Sequence, residues 1–275
     1  MKIALLGTGY AGNGEMALPP ELTAVMAPGT SAEILPLRVR TESSNPFELM
    51  VKGVVYVDAA LTAEAQGFDG VFVNTVGDYG IAGMRAGLNI PVVGAGQAGM
   101  HMAASLGDRF AIVTIWPRSL NFLYRHLLRD YGFEQRCVAI RHVGTQDEQA
   151  RIGDDDNYVK QMRRGENTML DRIVAECKAA VERDGADAVL LGCTCMSPIA
   201  SKVALRCDFP VVNPLTAGFK QTETMVSLRL SQSAAAYQPA ATRSRPAIAG
   251  MVNAVRDAGI DVACEVCVVA ANAAE

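Results

Sequence analysis

No stretch of the 275 residues approaches the roughly 18 uninterrupted apolar positions that a membrane-spanning helix needs, so no membrane partner is expected. There is no block of Lys or Arg and no stripe of basic residues beside aromatics. With a net charge of −4, nucleic acid is not an expected partner either. Aromatic residues are scarce, at 6% with a single Trp, whereas Gly occurs 25 times. That balance suits an α/β protein with many strand-to-helix turns. The apolar run at residues 3–6 is too brief for a signal-peptide core and reads as a first strand. Seven cysteines at irregular spacing, without a secretory signal, imply a reducing compartment and free thiols. A cytoplasmic location is the corresponding expectation.

What is present is organised around Asp187-Ala-Val-Leu-Leu-Gly-Cys-Thr-Cys-Met-Ser-Pro198. A short apolar run ends abruptly at Gly192, Cys193 follows, and Pro198 sits where the first turn of a new helix would begin. This pattern predicts a buried parallel strand feeding a tight turn and a helix N-terminus. A thiol at such a junction lies near the positive end of a helix dipole, which favours the reactive thiolate. The competing reading is a small buried hydrophobe with no chemistry.

Strand alternates with helix along the rest of the chain, which predicts parallel sheets. Strands are expected at residues 3–6, 32–39, 71–73, 91–93, 110–115, 137–142 and 188–191. Helices are expected at 46–66, 98–106, 120–131, 168–183 and 216–230. In the first of these, Phe47, Met50, Val54, Val57 and Leu61 are assigned to the apolar face. The run Gly7-Thr-Gly-Tyr-Ala-Gly12 matches a dinucleotide fingerprint. However, Gly14, Pro19 and Pro20 would break the helix that should follow, and the next strand ends in Arg38 and Arg40 instead of an acidic residue. A Gly-rich loop that admits substrate to the backbone, with Thr8 as a contact, is the preferred reading.

An internal repeat is the most informative feature. Gly67-Phe-Asp-Gly-Val71 overlies Gly185-Ala-Asp-Ala-Val189 at an offset of 118 (185 − 67), and Ile81-Ala82 overlies Ile199-Ala200 at the same offset. With one residue inserted, Pro91-Val-Val93 overlies Pro210-Val-Val212 and Ala98-Gly99 overlies Ala217-Gly218. Two pseudo-symmetric α/β lobes are therefore expected, each a mostly parallel sheet flanked by helices, with the active site in the cleft between them. The expected boundaries are 1–107 for the first lobe, completed by 216–237, and 108–215 for the second, with 238–275 as an extension of unknown role. Thr75 occupies the place that Cys193 has in the second lobe (193 − 75 = 118). On its own, Thr75 would read as a helix-capping hydroxyl.

On these residues the chain resembles the cofactor-independent aspartate/glutamate/hydantoin racemase superfamily, over about residues 1–237. Leu191-Gly-Cys-Thr194 with Pro198 is similar to the second-cysteine motif of the amino-acid racemases, and Gly192-Cys193 with Met196 to that of the hydantoin branch. Thr75-Val-Gly-Asp78 with Gly80 resembles the first-cysteine motif. Ile90-Pro-Val-Val-Gly94 and Gly107-Asp-Arg-Phe110 again resemble the hydantoin branch. The resemblance implies racemisation or epimerisation by proton transfer at a carbon α to a carboxylate or cyclic amide carbonyl, with no cofactor and no metal. One thiol removes a proton from one face and the other group delivers one to the opposite face. It assigns Cys193 and Thr75 as catalytic, and Val76, Gly77, Thr194 and Cys195 as backbone donors to enolate oxygens, with Asn74 beside them. A small-molecule substrate and a homo-oligomer are implied.

Thr75 stands where the family's first cysteine would be, and Cys195 where glutamate racemases carry a His. Some aspartate/glutamate racemases pair a Thr with a Cys in this way. Arylmalonate decarboxylases, with one working cysteine, protonate from one side only, so a lyase of that kind is the alternative activity. A small-molecule binder without catalysis is the alternative of a different class. Thr114, ending a strand beside Trp116, is a further expected substrate contact. His101 is expected to be structural, Arg118 solvent-facing, and Gln97 without a settled role. Cys264-Glu-Val-Cys267 lacks a second ligand pair and is expected to pack in a core.

Overall fold

The computed structural model describes residues 1–10, 17–41 and 43–259. Runs such as residues 70–73 and 188–191 have no polar face to offer water, so they can only be satisfied with packing on both sides. In the first sheet, β1 (Lys2–Tyr10) is flanked by β2 (Ser31–Leu37) and β3 (Gly70–Val73), and β3 pairs with β4 (Val92–Gly94). Every pairing is parallel, with Ile3 opposite Gly70 and Val71 opposite Val92. Its helices are α1 (Pro20–Thr23), α2 (Pro46–Ala65) and α3 (Ile81–Gly87).

The next element, α4 (Ala95–Ser105), leads into the second sheet. There β5 (Phe110–Thr114) is followed by α5 (Asn121–Asp130) and β6 (Cys137–His142). Three helices, α6 (Gln146–Ala150), α7 (Tyr158–Arg164) and α8 (Asn167–Glu182), precede β7 (Ala188–Leu191). Then come α9 (Ser197–Ala204) and β8 (Val211–Val212). The order is β6-β5-β7-β8, all parallel, with Phe110 opposite Ala188. It repeats the first sheet's order strand for strand, and β3 and β7 start 118 residues apart (188 − 70). The expected two-sheet α/β architecture is present.

Two compact units emerge from the contacts. One draws on residues 1–74, 78–94 and those described from 218 on, and the other on 75–77 and 95–217. Helix α4, expected in the first lobe, groups with the second sheet. Gly99 makes this possible, since a Cβ there would lie 2.7 Å from Leu190 Cδ1. The chain leaves the second unit along α10 (Pro214–Ser227). From Gly218 on, that helix packs on the first unit: the Phe219 ring meets Phe72 edge-on at 6.2 Å, and Glu223 accepts a hydrogen bond from Ala27 N at 2.9 Å. The extension also has a place. Helix α11 (Arg245–Asp257) buries Val252 against the α2 side of the first core, and Arg245 pairs with Glu64 on α2 at 2.9 Å. The segment 260–275, including Cys264 and Cys267, lies outside the described residues.

The apolar face of α2 differs in part from the expected one. Val54, Val57 and Leu61 pack against the first core as expected, but Phe47 and Met50 are exposed, and the buried apolar positions are Val55, Tyr56, Ala59, Ala60 and Ala63. The buried positions of the helix run from Lys52 to Ala63, and Phe47 and Met50 precede them. Helices α6 and α7 were not anticipated. Thr145 and Glu148 form a reciprocal capping box at the start of α6, and Arg172 of α8 bonds Glu148 from above at 2.6 Å. Hydrogen bonds from the Arg172 guanidinium hold the Glu148 carboxyl down at about 2. A carboxyl lowered in the folded state adds stability above its unfolded pKa, and that stability is lost as pH falls toward the folded value. Wild-type protein is therefore expected to lose more thermal stability than Glu148→Gln between about pH 4.5 and pH 2, read from melting curves. Among the described residues no helix is long and apolar enough to cross a membrane.

Candidate active site

Strand β7 is buried at all four positions and delivers the chain to Gly192. A side chain is excluded there, because a Cβ would lie 2.5 Å from Thr114 Cβ and 3.1 Å from Ile112 Cγ2. The Gly192 peptide is held from both ends. Its N–H donates to Val113 O at 2.7 Å, and its carbonyl accepts from the Tyr124 hydroxyl at 2.8 Å. Since that hydroxyl has one proton, it accepts from Thr114 Oγ1, 2.6 Å away, and Thr114 Oγ1 accepts from Trp116 N at 3.3 Å. This buried relay fixes the residue immediately before Cys193. Tyr124→Phe removes the donor from a carbonyl in the interior and is expected to cost about 1–3 kcal/mol, measurable by urea unfolding.

Cys193 is half-buried, in extended backbone, and caps a single 3-10 turn, Thr194–Met196, that leads into α9. Its Sγ accepts the Cys195 amide at 3.1 Å, and Met196 N returns to Cys193 O at 3.1 Å. Pro198 lies in the first turn of α9, as expected. The expectation of free thiols fails at this point. Cys193 and Cys195 are joined by a disulfide, with Cα atoms 5.1 Å apart. Spacing alone did not reveal it, because the 3-10 turn is what brings residues two apart onto the same side.

The turn after β3 has the same design. Thr75 Oγ1 accepts the Gly77 amide at 2.9 Å, the i-to-i+2 bond that Cys193 makes with Cys195, displaced by 118 residues (193 − 75). Thr75 is half-buried, while Asn74 and Val76 are buried. Asp78 follows in left-handed backbone with φ 44°, packed against Gly94. The residues 75–77 group with the second unit, which also holds Cys193.

The remaining predicted residues divide by geometry. The amides of Gly77 and Cys195, expected to face a substrate, are aimed at the side chains of Thr75 and Cys193. Thr114, expected to touch substrate, has no solvent exposure and spends its hydroxyl on Tyr124 and Trp116. Thr194 is half-buried in the Cys193 turn. The side chain of Thr8 lies outside the described residues. Strand β1 continues through Gly7 to Tyr10, so these first glycines of the run are not a strand-to-helix turn. Arg38 is engaged with the buried Asp58 carboxylate and is not turned to a nucleotide. His101 bonds Gln97 O at 2.9 Å and rests edge-on against Phe133, a structural role. Arg118 is exposed, at the rim of an open cavity of about 600 Å³ along β6 that neither candidate turn lines. Tyr124 is the residue that the sequence did not flag. On the sequence it is one more bulky residue on the buried face of a helix.

Two parallel sheets of one strand order, each with a strand-end turn closed by its own side chain, define the class: an α/β scaffold in which one arrangement of strands and helices occurs twice. The chain belongs to the Asp/Glu/Hydantoin racemase family, whose model matches residues 38–222. The hydantoin racemase of Pseudomonas sp. (strain NS671) is 30% identical over 180 residues, 66% of this chain and 66% of that relative's length. The allantoin racemase of Klebsiella pneumoniae is 28% identical with a TM-score of 0.69, covering 84% of this chain and 90% of that one. The allantoin racemase of Pseudomonas fluorescens is 26% identical with a TM-score of 0.73, covering 87% and 97%.

Proposed function

We propose that the protein racemises or epimerises a small molecule at a carbon α to a carbonyl, without a cofactor, and that the substrate is a hydantoin-type cyclic amide. The observation that carries this reading is the recurrence of one turn after β3 and β7, closed by a hydroxyl in one case and a sulfur in the other. In the reduced protein, Cys193 takes the proton from the substrate carbon or returns it, and Thr75 serves the opposite face. An amide N–H aimed at a sulfur or oxygen stabilises its anionic form, so Cys195 N and Gly77 N prepare these two groups. The Val76 and Thr194 amides, first beyond each strand end, are the donors for the enolate oxygen. The cyclic-amide substrate is favoured over a free amino acid by the relatives named hydantoin and allantoin racemases.

The test uses reduced protein and one enantiomer of a 5-substituted hydantoin in D2O. Loss of optical activity should accompany loss of the ring C–H signal in the NMR spectrum. Binding that raises the melting temperature with no exchange would leave a binder and sink the enzyme. Because a hydroxyl is a far poorer acid or base than a thiol, Thr75→Cys is expected to raise racemisation by about tenfold or more. A folded variant with no gain removes Thr75 from the mechanism.

The hydroxyl at position 75 favours one second reading, in which only one face carries a competent proton donor. Decarboxylation of an arylmalonate leaves a planar carbanion, which Cys193 would protonate from one side. Carbon dioxide release that requires Cys193, with no exchange of a hydantoin, would select that activity.

A further inference from the structure

The geometry points to a reversible modification site: Cys193 and Cys195 form a thiol–disulfide couple, oxidised by a peroxide and reopened by a dithiol, that switches the protein off. That the couple controls activity rests on the assignment of Cys193 above. That the bond forms and opens does not.

Three observations carry the inference. The two residues are bonded in the structure, with a Cα–Cα distance of 5.1 Å, inside the range of about 4.4–6.8 Å that a disulfide spans without backbone movement. Both are half-buried, so a small oxidant and a small reductant can reach them. The Cys195 amide is directed at Cys193 Sγ at 3.1 Å, which supports negative charge on that sulfur and makes it the attacking member of the pair. The other described cysteines, Cys137, Cys177 and Cys207, are free. Of these, Cys177 is fully buried, and burial pushes the Cys137 thiol up to about 12, far from a reactive thiolate.

The chemistry balances with hydrogen peroxide as oxidant. The Cys193 thiolate attacks one peroxide oxygen, the O–O bond breaks, and hydroxide leaves to be protonated, giving a sulfenic acid on Cys193. The Cys195 thiol then loses its proton and attacks the Cys193 sulfur. The S–O bond breaks and a second water departs. Two thiols and one peroxide become one disulfide and two waters. A dithiol such as dithiothreitol returns the two electrons through a mixed disulfide and leaves as its own ring disulfide. While the bond is closed, Cys193 can neither accept nor donate a proton, so the resting and working states differ by one S–S bond.

Full-length protein is reduced with dithiothreitol, freed of reductant, titrated with hydrogen peroxide, alkylated under denaturing conditions and mapped by peptide mass spectrometry. The expected result is that the peptide carrying both residues becomes lighter by two hydrogens and resists alkylation, and that dithiothreitol restores two alkylatable thiols. Cys195→Ser should instead leave Cys193 as an open sulfenic or sulfinic acid. Alkylation of both sulfurs after peroxide, or oxidation confined to Cys137, Cys177 or Cys207, overturns the proposal. Exchange activity is followed on the same samples and is expected to fall and return with the bond. If the disulfide forms and opens while exchange continues unchanged, the switch is wrong and so is the assignment of Cys193 as the acid–base group.

Discussion

Cys193→Ala, assayed reduced, is expected to lose hydantoin exchange in D2O by about 10²–10⁴-fold, the range that a positioned acid–base group supplies. The substitution should leave the fold in place. Cys193 is half-buried at a turn and the methyl group that replaces the thiol needs no hydrogen bond. What disappears is the atom to which the Cys195 amide is directed. Circular dichroism and the melting temperature should therefore stay close to those of the reduced parent. Exchange that persisted in the alanine variant would move the chemistry elsewhere on the chain, whatever the family relationship.

Gly192→Ala should produce the second large effect, through position alone. The added methyl would sit 2.5 Å from Thr114 Cβ and 3.0 Å from its hydroxyl, inside the relay that Tyr124 closes on the Gly192 carbonyl. Neither neighbour is a free-swinging side chain, so the backbone must give. Overpacking of this kind costs about 1–3 kcal/mol, and a shift near 1 Å at a reacting group costs about 10²-fold in rate. The expected outcome is a kcat lowered by about that factor with KM changed much less, together with earlier unfolding in urea. A variant with unchanged kcat would mean that the carbonyl anchor does not set the position of Cys193.

The architecture was legible wherever one physical signal sufficed. Strands β3 and β7 are short, wholly apolar and bounded by turn residues, and buried parallel strands leave that trace. The equivalence of Thr75 with Cys193 was legible because a repeated offset survives where individual residues do not. Other features depend on partners that a single sequence does not name. Helix α4 looked like the close of the first half, and only the fit of Leu190 against Gly99 shows which sheet it serves. Helices α6 and α7 are short: α7 is held by Tyr158, Val159 and Met162 reaching into the second core, whereas α6 buries no side chain and is held by its cap and by Arg172. The capping box at Thr145 was the signal available for α6. A polar residue at a strand end suggests function, which makes Thr114 an expected substrate contact, yet its hydroxyl is consumed internally. In the same way, Cys195 two residues from Cys193 was visible, but whether their sulfurs meet depends on a single turn of 3-10 helix.

The way α10 returns to the first sheet also sets an order of events during synthesis. Nearly all of the second unit lies in one continuous stretch, 95–217, whereas the first needs residues 1–74 and 78–94 together with α10 from Gly218 on and then α11. As the chain leaves the ribosome, the later half has all its parts before the earlier half does, and strand β3 must wait for Phe219 and its neighbours to cover it.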